Sequence, residues 1–565
     1  MGKHKKKKKK PERRPNPKPA KMPERIEIGK RELDAIIEKA SSSPLEEREL
    51  DLLRKALDTL MFLTKELEKK RVSVDRLKRL LFGAETEKTV KVLRKILDEA
   101  EKGKAIGKGN ETEKNAAPPE EKPKGHGRNG ADAYTGAEKI LVPLDNLKEG
   151  DPCPSCEKGK LYKWIPGTIL TVKGQAPISA TVYELEKLRC ALCGEIFTAK
   201  EPEGIPENKY DADSASMISL LKYGTGMPFN RLQRLEGSLG IPLPAATQWD
   251  IMKKTVGLIA PAFEELIRQA AQGEVLHNDD TTMKVLGLGG SGPGVEPGGG
   301  DVAPERKGVF TSGIVSVMEG RKAALFFTGR RHAGENLAEL LKKRAAGLGP
   351  PIQMCDALSR NMPGELETIL GNCLSHGRRK FVDVVRGFPD ECLHVLMIMK
   401  DVYRNDAIAR RDGMSKEERL LFHQTQSGPK MAELEAWMTA QFEENKVEPN
   451  SGLGEAIAYM RKHWNELTLF LRAPGAPLDN NICERILKKA ILHRKNAYFF
   501  KTLNGARVGD LFMSLIHTCE LNGANPFEYL TALQRHADAV SAAPADWMPW
   551  NYPAALARSS AAQAK

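Results

Sequence analysis

The spacing of apolar residues changes character several times along this chain, and each change marks a different kind of element. From Arg31 to about Leu97 the apolar positions recur three and four apart (Leu33, Ile36, Ile37; Leu50, Leu53, Leu57; Leu60, Leu63, Leu67), which predicts amphipathic helices. A capping-type turn at Ser41 to Pro44 divides them into a helical hairpin or short coiled coil. Residues 101–138 turn to Gly, Lys, Glu, Pro and Asn and read as a linker. A β-rich stretch follows (Thr168 to Val172, Thr181 to Tyr183), and helical spacing returns over residues 209–270. There the cadence around Lys222-Tyr223-Gly224, Pro228 to Leu232 and Thr247-Gln248-Trp249 is the helix, turn, helix of a small DNA-binding unit or of a helical connector. From Val275 the pattern becomes one of strands: Val275 to Asp279, Gly308 to Met318 and Ala323 to Thr328, then a helix over Ala333 to Lys343, then Pro351 to Cys355 leading into Asp356. Residues 381–478 are mostly helical and too long for a structureless loop, so an inserted helical subdomain is expected.

Length and charge sharpen this picture. At 565 residues the chain is expected to be multidomain. The expected units are a disordered basic tail (1–30), a helical or coiled-coil region (31–100), the linker (101–138), a small cysteine-bearing domain (139–205), a helical DNA-binding region (206–272), a catalytic domain (273–535) and a C-terminal tail (536–565). The formal charge is +13, yet residues 1–30 alone carry thirteen Lys/Arg against three Glu. Most of the excess is therefore a solvated tail that could hold DNA without reading its sequence. No run of eighteen apolar residues exists, and no apolar segment with a cleavage site follows the basic N-terminus. A soluble, cytoplasmic protein with no membrane partner is expected.

Two C-x-x-C pairs, Cys153 with Cys156 and Cys190 with Cys193, enclose the β-rich stretch. Pairs of this spacing form tight knuckles, and four thiolates make a closed tetrahedral site for one structural zinc. The 33-residue separation is longer than in compact ribbons, but a β-hairpin between the knuckles spans it. With the other cysteines scattered, a metal site in a reducing compartment fits better than a disulfide framework.

Three strands, a helix and a fourth strand ending in an acid is the order of a ribonuclease H-like α/β core. The expected fold is therefore α+β overall, with that core interrupted by the helical insertion and preceded by the helical region and a zinc ribbon. Cleaving phosphodiesters without a covalent enzyme intermediate calls for two divalent metals, Mg²⁺ or Mn²⁺, about 4 Å apart and held by carboxylates. The candidates are Asp279, Asp356 and Glu484. On a strand Asp279 and Asp280 face opposite ways, and parity alone does not choose between them. Glu484 stands among Arg485, Lys488, Lys489, Arg494 and Lys495, cations suited to DNA phosphates. Asp479 or Asn480 could simply cap the helix that carries it.

The order Asp479-Asn480-Asn481-Ile482-Cys483-Glu484-Arg485, then Arg494-Lys495-Asn496, Tyr498-Phe499-Phe500, and Leu521-Asn522-Gly523 with Pro526 to Leu530, resembles the C-terminal half of insertion-sequence-66 transposases. The resemblance runs over about residues 45–535. It includes the four cysteines and Cys373-Leu374-Ser375-His376-Gly377-Arg378-Arg379-Lys380-Phe381, which matches C-x-x-H-x-R-R-K-F. It implies a DDE-type DNA transposase acting on transposon ends and target DNA, with metal ligands Asp279, Asp356 and Glu484. Implied DNA contacts are Arg378, Arg379, Lys380, Arg485, Lys488, Arg494 and Lys495. It also selects Asp279 over Asp280, because Leu276 to Thr281 matches L-H-x-D-E-T, whose first acid is the ligand. Two departures stand out: Asp280 replaces the usual Glu, and Asp356-Ala357-Leu358 replaces D-G-Y. Cys373 and His376 are expected on a fifth strand, with His376 in the core or beside the metals. Homo-oligomers formed through the N-terminal helices, and accessory proteins of the same element, are the implied partners. A DNA-binding derivative without catalysis and a nuclease without strand transfer are the alternatives.

Overall fold

The computed structural model describes residues 208–288 and 308–563, with short stretches at 39, 46–51, 53–55, 149–151, 176–189 and 196–200. The basic tail, nearly all of the 31–100 region, the 101–138 linker and the four C-x-x-C cysteines lie outside the described residues. Next to two of those cysteines, strand β1 (Lys187–Arg189) pairs antiparallel with β2 (Ile196–Thr198). Thr181 to Tyr183, expected as a strand, carries none.

The rest is a mixed α+β structure, mostly helical, built on one five-stranded sheet. Its strands are β3 (Val275–Thr282), β4 (Phe310–Met318), β5 (Arg321–Gly329), β6 (Ile352–Cys355) and β7 (Ile369–Asn372), in the order β5-β4-β3-β6-β7. The first three form an antiparallel meander, while β6 runs parallel to β3 and β7 parallel to β6. The centre of β4 and all of β6 are buried on both faces, which is why these segments read as continuous apolar runs.

Among the described residues, helices α1 (Ala212–Ser219), α2 (Phe229–Ser238) and α3 (Ala245–Ala270), with a π-helical turn at Leu220–Gly224, lead into the sheet. Helix α4 (Ala333–Leu341) packs on β3 and β4. Helices α5 (Leu374–Val384), α6 (Pro389–Arg411), α7 (Lys416–Gln426), α8 (Gly428–Glu443) and α9 (Gly452–Lys462) form the insertion. Helices α10 (Asn481–Ala497), α11 (Leu503–Asn522) and α12 (Pro526–Arg535) return to the sheet. Among the described residues there are two main cores. One joins Ile218, Leu232, Met252 and Leu266 of α1 to α3 with Ile314, Phe326, Leu487 and Phe512. The other lies within the insertion, around Phe381, Val395, Met431 and Ile457, and closes on Val275 and Ile352 of the sheet.

Two expectations are corrected. The C-x-x-H-x-R-R-K-F segment is not a strand: β7 ends at Asn372, and Cys373 is the residue before helix α5. Leu374, Gly377, Arg378 and Phe381 are buried along one side of that helix, a spacing of three and four that a strand could not bury on one face. Residues 536–563 are not a tail but short helices and turns. Trp547, Met548 and Tyr552 join the first core, and Tyr529 Oη donates to the Trp547 carbonyl at 2.9 Å.

Candidate active site

Asp279 and Asp356 lie towards the C-terminal ends of the two central parallel strands, where open α/β sheets commonly bind ligands. In the β3–β6 register His277 stands opposite Met354, and carrying it two positions further sets Asp279 opposite Asp356. On its other side Asp279 pairs with Gly313 of β4. That glycine has a reason: a Cβ there would sit 3.0 Å from the Leu487 side chain of α10. Its hydrogen lets α10 lie close on this face, and the Cys483 thiol donates to the Gly313 carbonyl at 3.3 Å. Glu484 is the next residue along, in the first turn of the same helix.

Asp280 faces the opposite side of the sheet. Its side chain is 1% exposed and is held by His332 Nδ1 at 2.7 Å and the Arg360 guanidinium at 3.3 Å. Its neighbour on β4, Ser312, accepts from Asn336 of α4. Asp280 is thus spent on holding α4 and the turn after β6, whereas Asp279 faces α10.

The D-N-N triplet fixes the entry of α10. Asn480 occupies the helix-capping position but its side chain caps nothing. It is fully buried and bridges to β3, donating from Nδ2 to the Asn278 carbonyl at 3.1 Å and lying 3.1 Å from His277 Nδ1 through Oδ1. Since Oδ1 can only accept, His277 carries its proton on Nδ1, and burial holds this imidazole neutral, its pKa lowered to about 4. The Asn480 N–H points at Cys373 Sγ at 3.2 Å. Asp479 accepts from the Asn481 backbone N–H at 3.1 Å and from the Asn481 side-chain amide at 2.6 Å.

The electrostatics bear the mark of clustered acids. Asp279 is raised from 3.8 to about 7, first by burial, then by the charge of Asp356, with further contributions from Asp280 and Glu484. Burial also raises Asp356, opposed by a hydrogen bond from the Leu358 N–H and by the charges of His376 and Arg360. The Asn361 side chain donates to Asp356 as well. Glu484 Oε1 is buried and accepts no hydrogen bond, with His376 Nε2 at 3.8 Å. A buried carboxylate oxygen lacking a donor, beside two carboxyls that repel one another, is the donor set a divalent cation fits. The Cys373 thiol also lies close to His376 and Glu484. Burial lifts it to about 11 and Asn480 occupies it, so it acts as an anchor for α10.

The predicted DNA contacts divide by exposure. Arg485, Lys488, Lys495 and Lys380 are exposed, Arg379 is half-buried and Arg378 is buried. Arg494 folds back onto the end of β3, donating to Thr282 Oγ1 at 2.7 Å and to the Thr282 carbonyl. Lys489 pairs with Glu520 at 3.2 Å. Sequence reasoning missed Asn480 as a bridge, Gly313 as the point of close approach, and Tyr403 of α6, whose hydroxyl lies 3.0 Å from Ser375 Oγ and feels the charge of Asp479. Only the repeated Asn in D-N-N offered a signal, because Gly313 and Tyr403 act through contacts between distant segments.

The sequence profile described as "Transposase IS66 family" matches residues 209–508, more than half of the chain, and spans all three acids. Three proteins of Sinorhizobium fredii (strain NBRC 101917 / NGR234) are similar, each described as uncharacterized. They are y4jD (37% identical over 163 residues, 28% of this chain), y4hP (25% over 435 residues, 72%) and y4qI (25% over 348 residues, 59%). The matches cover 31%, 73% and 61% of those relatives' own lengths.

Proposed function

The chain belongs to the IS66 family of transposases, and from that premise we propose that it binds the ends of a mobile DNA element and cuts and rejoins DNA at Asp279, Asp356 and Glu484. The observation that carries the proposal is geometric: Asp279 on β3 stands in register with Asp356 at the end of the neighbouring parallel strand, and Gly313 brings α10, with Glu484 in its first turn, onto the same face. Burial raises the Asp279 carboxyl, and the charges of Asp356, Asp280 and Glu484 raise it further, which supports the reading.

In this reading the sheet is the ribonuclease H-like core, and the three acids hold two Mg²⁺ or Mn²⁺ ions. Once bound, the ions would activate the attacking oxygen and neutralise the leaving one. Asn480 and Gly313 keep Glu484 against the sheet. Arg485 and Lys488, exposed just beyond Glu484 on α10, neutralise DNA phosphates. Cys153, Cys156, Cys190 and Cys193 hold a zinc ion in the preceding ribbon, and the N-terminal helices assemble copies of the chain on the two ends, with accessory proteins of the element as further partners. Among the described residues no helix is long and apolar enough to cross a membrane; the proposed setting is the cytoplasm, on nucleoid DNA.

The test is to incubate the protein with DNA carrying the sequences that flank its gene, with Mg²⁺ or Mn²⁺, and to map 3′-OH ends. Cuts at defined inverted ends that need the metal and vanish in Asp279→Asn are expected. Specific binding without cuts, with zinc and candidate accessory proteins supplied, would make the chain a DNA-binding derivative instead.

A further inference from the structure

The residues after α10 do something a globular protein normally avoids. Tyr498 has φ +65° and ψ −41°, and the Phe499 N–H donates to the Ala497 carbonyl at 2.8 Å. Together these define a γ-turn of the rare, strained hand. At its tip Tyr498 is 70% exposed and Phe499 42%, whereas Phe500 is 8% exposed. Strain in a non-glycine residue persists only where its surroundings enforce it, and here they do. The Tyr498 N–H is held by the Arg494 carbonyl at 2.8 Å, the Phe500 N–H by the Lys284 carbonyl at 2.9 Å, and the Leu286 N–H by the Phe500 carbonyl at 2.9 Å. The Phe500 ring stacks on His493 at 4.9 Å and packs with Met283, Val285 and Ala506. Two aromatic rings are thus held out in water on a rigid, doubly anchored support.

The surroundings select the partner. From Arg494 to Gly509 the sequence has four cations, Arg494, Lys495, Lys501 and Arg507, and no acid; Lys495 and Lys501 are exposed. Exposed ring faces beside cations suit stacked bases on a phosphate backbone. Bases inside a duplex already have their faces covered, so an unpaired strand fits better.

Building on the transposase reading, we propose that Tyr498 and Phe499 form a stacking platform for unpaired bases of the DNA strand processed at the acids. The platform lies fourteen residues along α10 from Glu484, about 21 Å at helical rise. Along β3, Asp279 and the Phe500 partner Lys284 are five residues apart, about 17 Å in extended chain. Both paths set the platform roughly 20 Å from the acids.

The test uses the full chain and an oligonucleotide carrying one 2-aminopurine, offered single-stranded and as a duplex. Binding should quench the single-strand fluorescence. Tyr498→Gly combined with Phe499→Ala should weaken single-strand binding about ten- to hundredfold and change duplex binding by less than about twofold. Tyr498→Trp should retain both. Glycine accepts a positive φ without strain, so Tyr498→Gly removes the ring without a cost in folding, which a melting curve checks. Unchanged single-strand affinity in the double variant, or equal losses for single strand and duplex, would overturn the platform and leave the transposase reading standing. A wild-type chain that binds neither form would overturn both.

Discussion

Asp279 and Asp280 are adjacent carboxylates with opposite environments: Asp280 is held by His332 and Arg360, whereas Asp279 faces α10. Asp279 in the folded chain has a pKa of about 7 against 3.8 for the free side chain. Its folded value is the higher one, so between about pH 4 and 7 the folded chain holds a proton that the unfolded chain has released. Its contribution therefore favours folding at low pH and is lost as pH rises towards 7. A metal must displace that proton. Affinity for Mn²⁺, followed by titration calorimetry, should then weaken about tenfold per pH unit below about pH 7, and Asp279→Asn should weaken binding and flatten the dependence. Asp280→Asn should do the reverse. It gives up the ion pairs with His332 and Arg360, costs about 1–3 kcal/mol in stability, and leaves Mn²⁺ binding in place. A metal-binding defect in Asp280→Asn with normal melting would exchange the two roles. Strand parity made the opposition of the two acids legible in the sequence, but not which face meets α10, because that depends on Cys483, Leu487 and Gly313, far apart in the chain.

At the scale of elements, α11 and α10 each solve a problem of fit against the sheet. Strand β5 is an edge, and its outward amides would be free to pair with another chain. Helix α11 covers them with a ladder of polar side chains one turn apart. Asn522 Oδ1 accepts from the Lys322 N–H, Thr518 Oγ1 from Ala324, Ser514 Oγ from Phe326 and Asp510 Oδ2 from Thr328, at 2.7–3.1 Å. Burial raises Asp510 to about 7, opposed by its bonds to Thr328. By the same sign as above, stability should fall between about pH 4 and 7 through this group. Asp510→Asn keeps the acceptor and should flatten that slope in urea melts across the range; an unaltered slope would show that Asp510 does not titrate there. For α10 the decisive residue is Gly313. Gly313→Val forces Leu487 outward at a cost of about 1–3 kcal/mol and should draw Glu484 off the acids. Cleavage should be lost with DNA binding kept, and Leu487→Ala in the same chain should restore part of it; the absence of any rescue would argue against steric displacement. The strands β3 to β6 and helix α4 were legible because alternation and apolar runs are local. The fifth strand was placed late and too long, because Leu374 and Phe381 are apolar at a spacing that only a helix buries on one side.

Across the whole molecule, the insertion has a core of its own and yet is built into the acid site. Its length and periodicity were visible in the sequence. Its role was not, since it acts through Tyr403 and residues far from it in the chain. The Tyr403 hydroxyl lies 3.0 Å from Ser375 Oγ within reach of the charge of Asp479, while Ser375 Oγ reaches Asn481 Oδ1 at 3.4 Å. One side chain of α6 therefore ties the first turn of α5, which carries His376, to the start of α10, which carries Glu484. Asp406, one turn on from Tyr403, is buried and bound by Arg410, Arg419 and His423, so α6 is itself fixed to α7. If this chain of contacts positions the acids, Tyr403→Phe should preserve the packing, cost about 1–3 kcal/mol for the unsatisfied partners, and slow cleavage by more than its small loss of folded protein explains. The Mn²⁺ concentration needed for half-maximal cleavage should rise with it. Asp479→Asn should have a similar effect, and the double variant should be little worse than either, because both break one linkage. Additive losses in that cycle, with metal dependence unchanged, would mean that the insertion merely covers the sheet and that Glu484 is held by Asn480 and Gly313 alone.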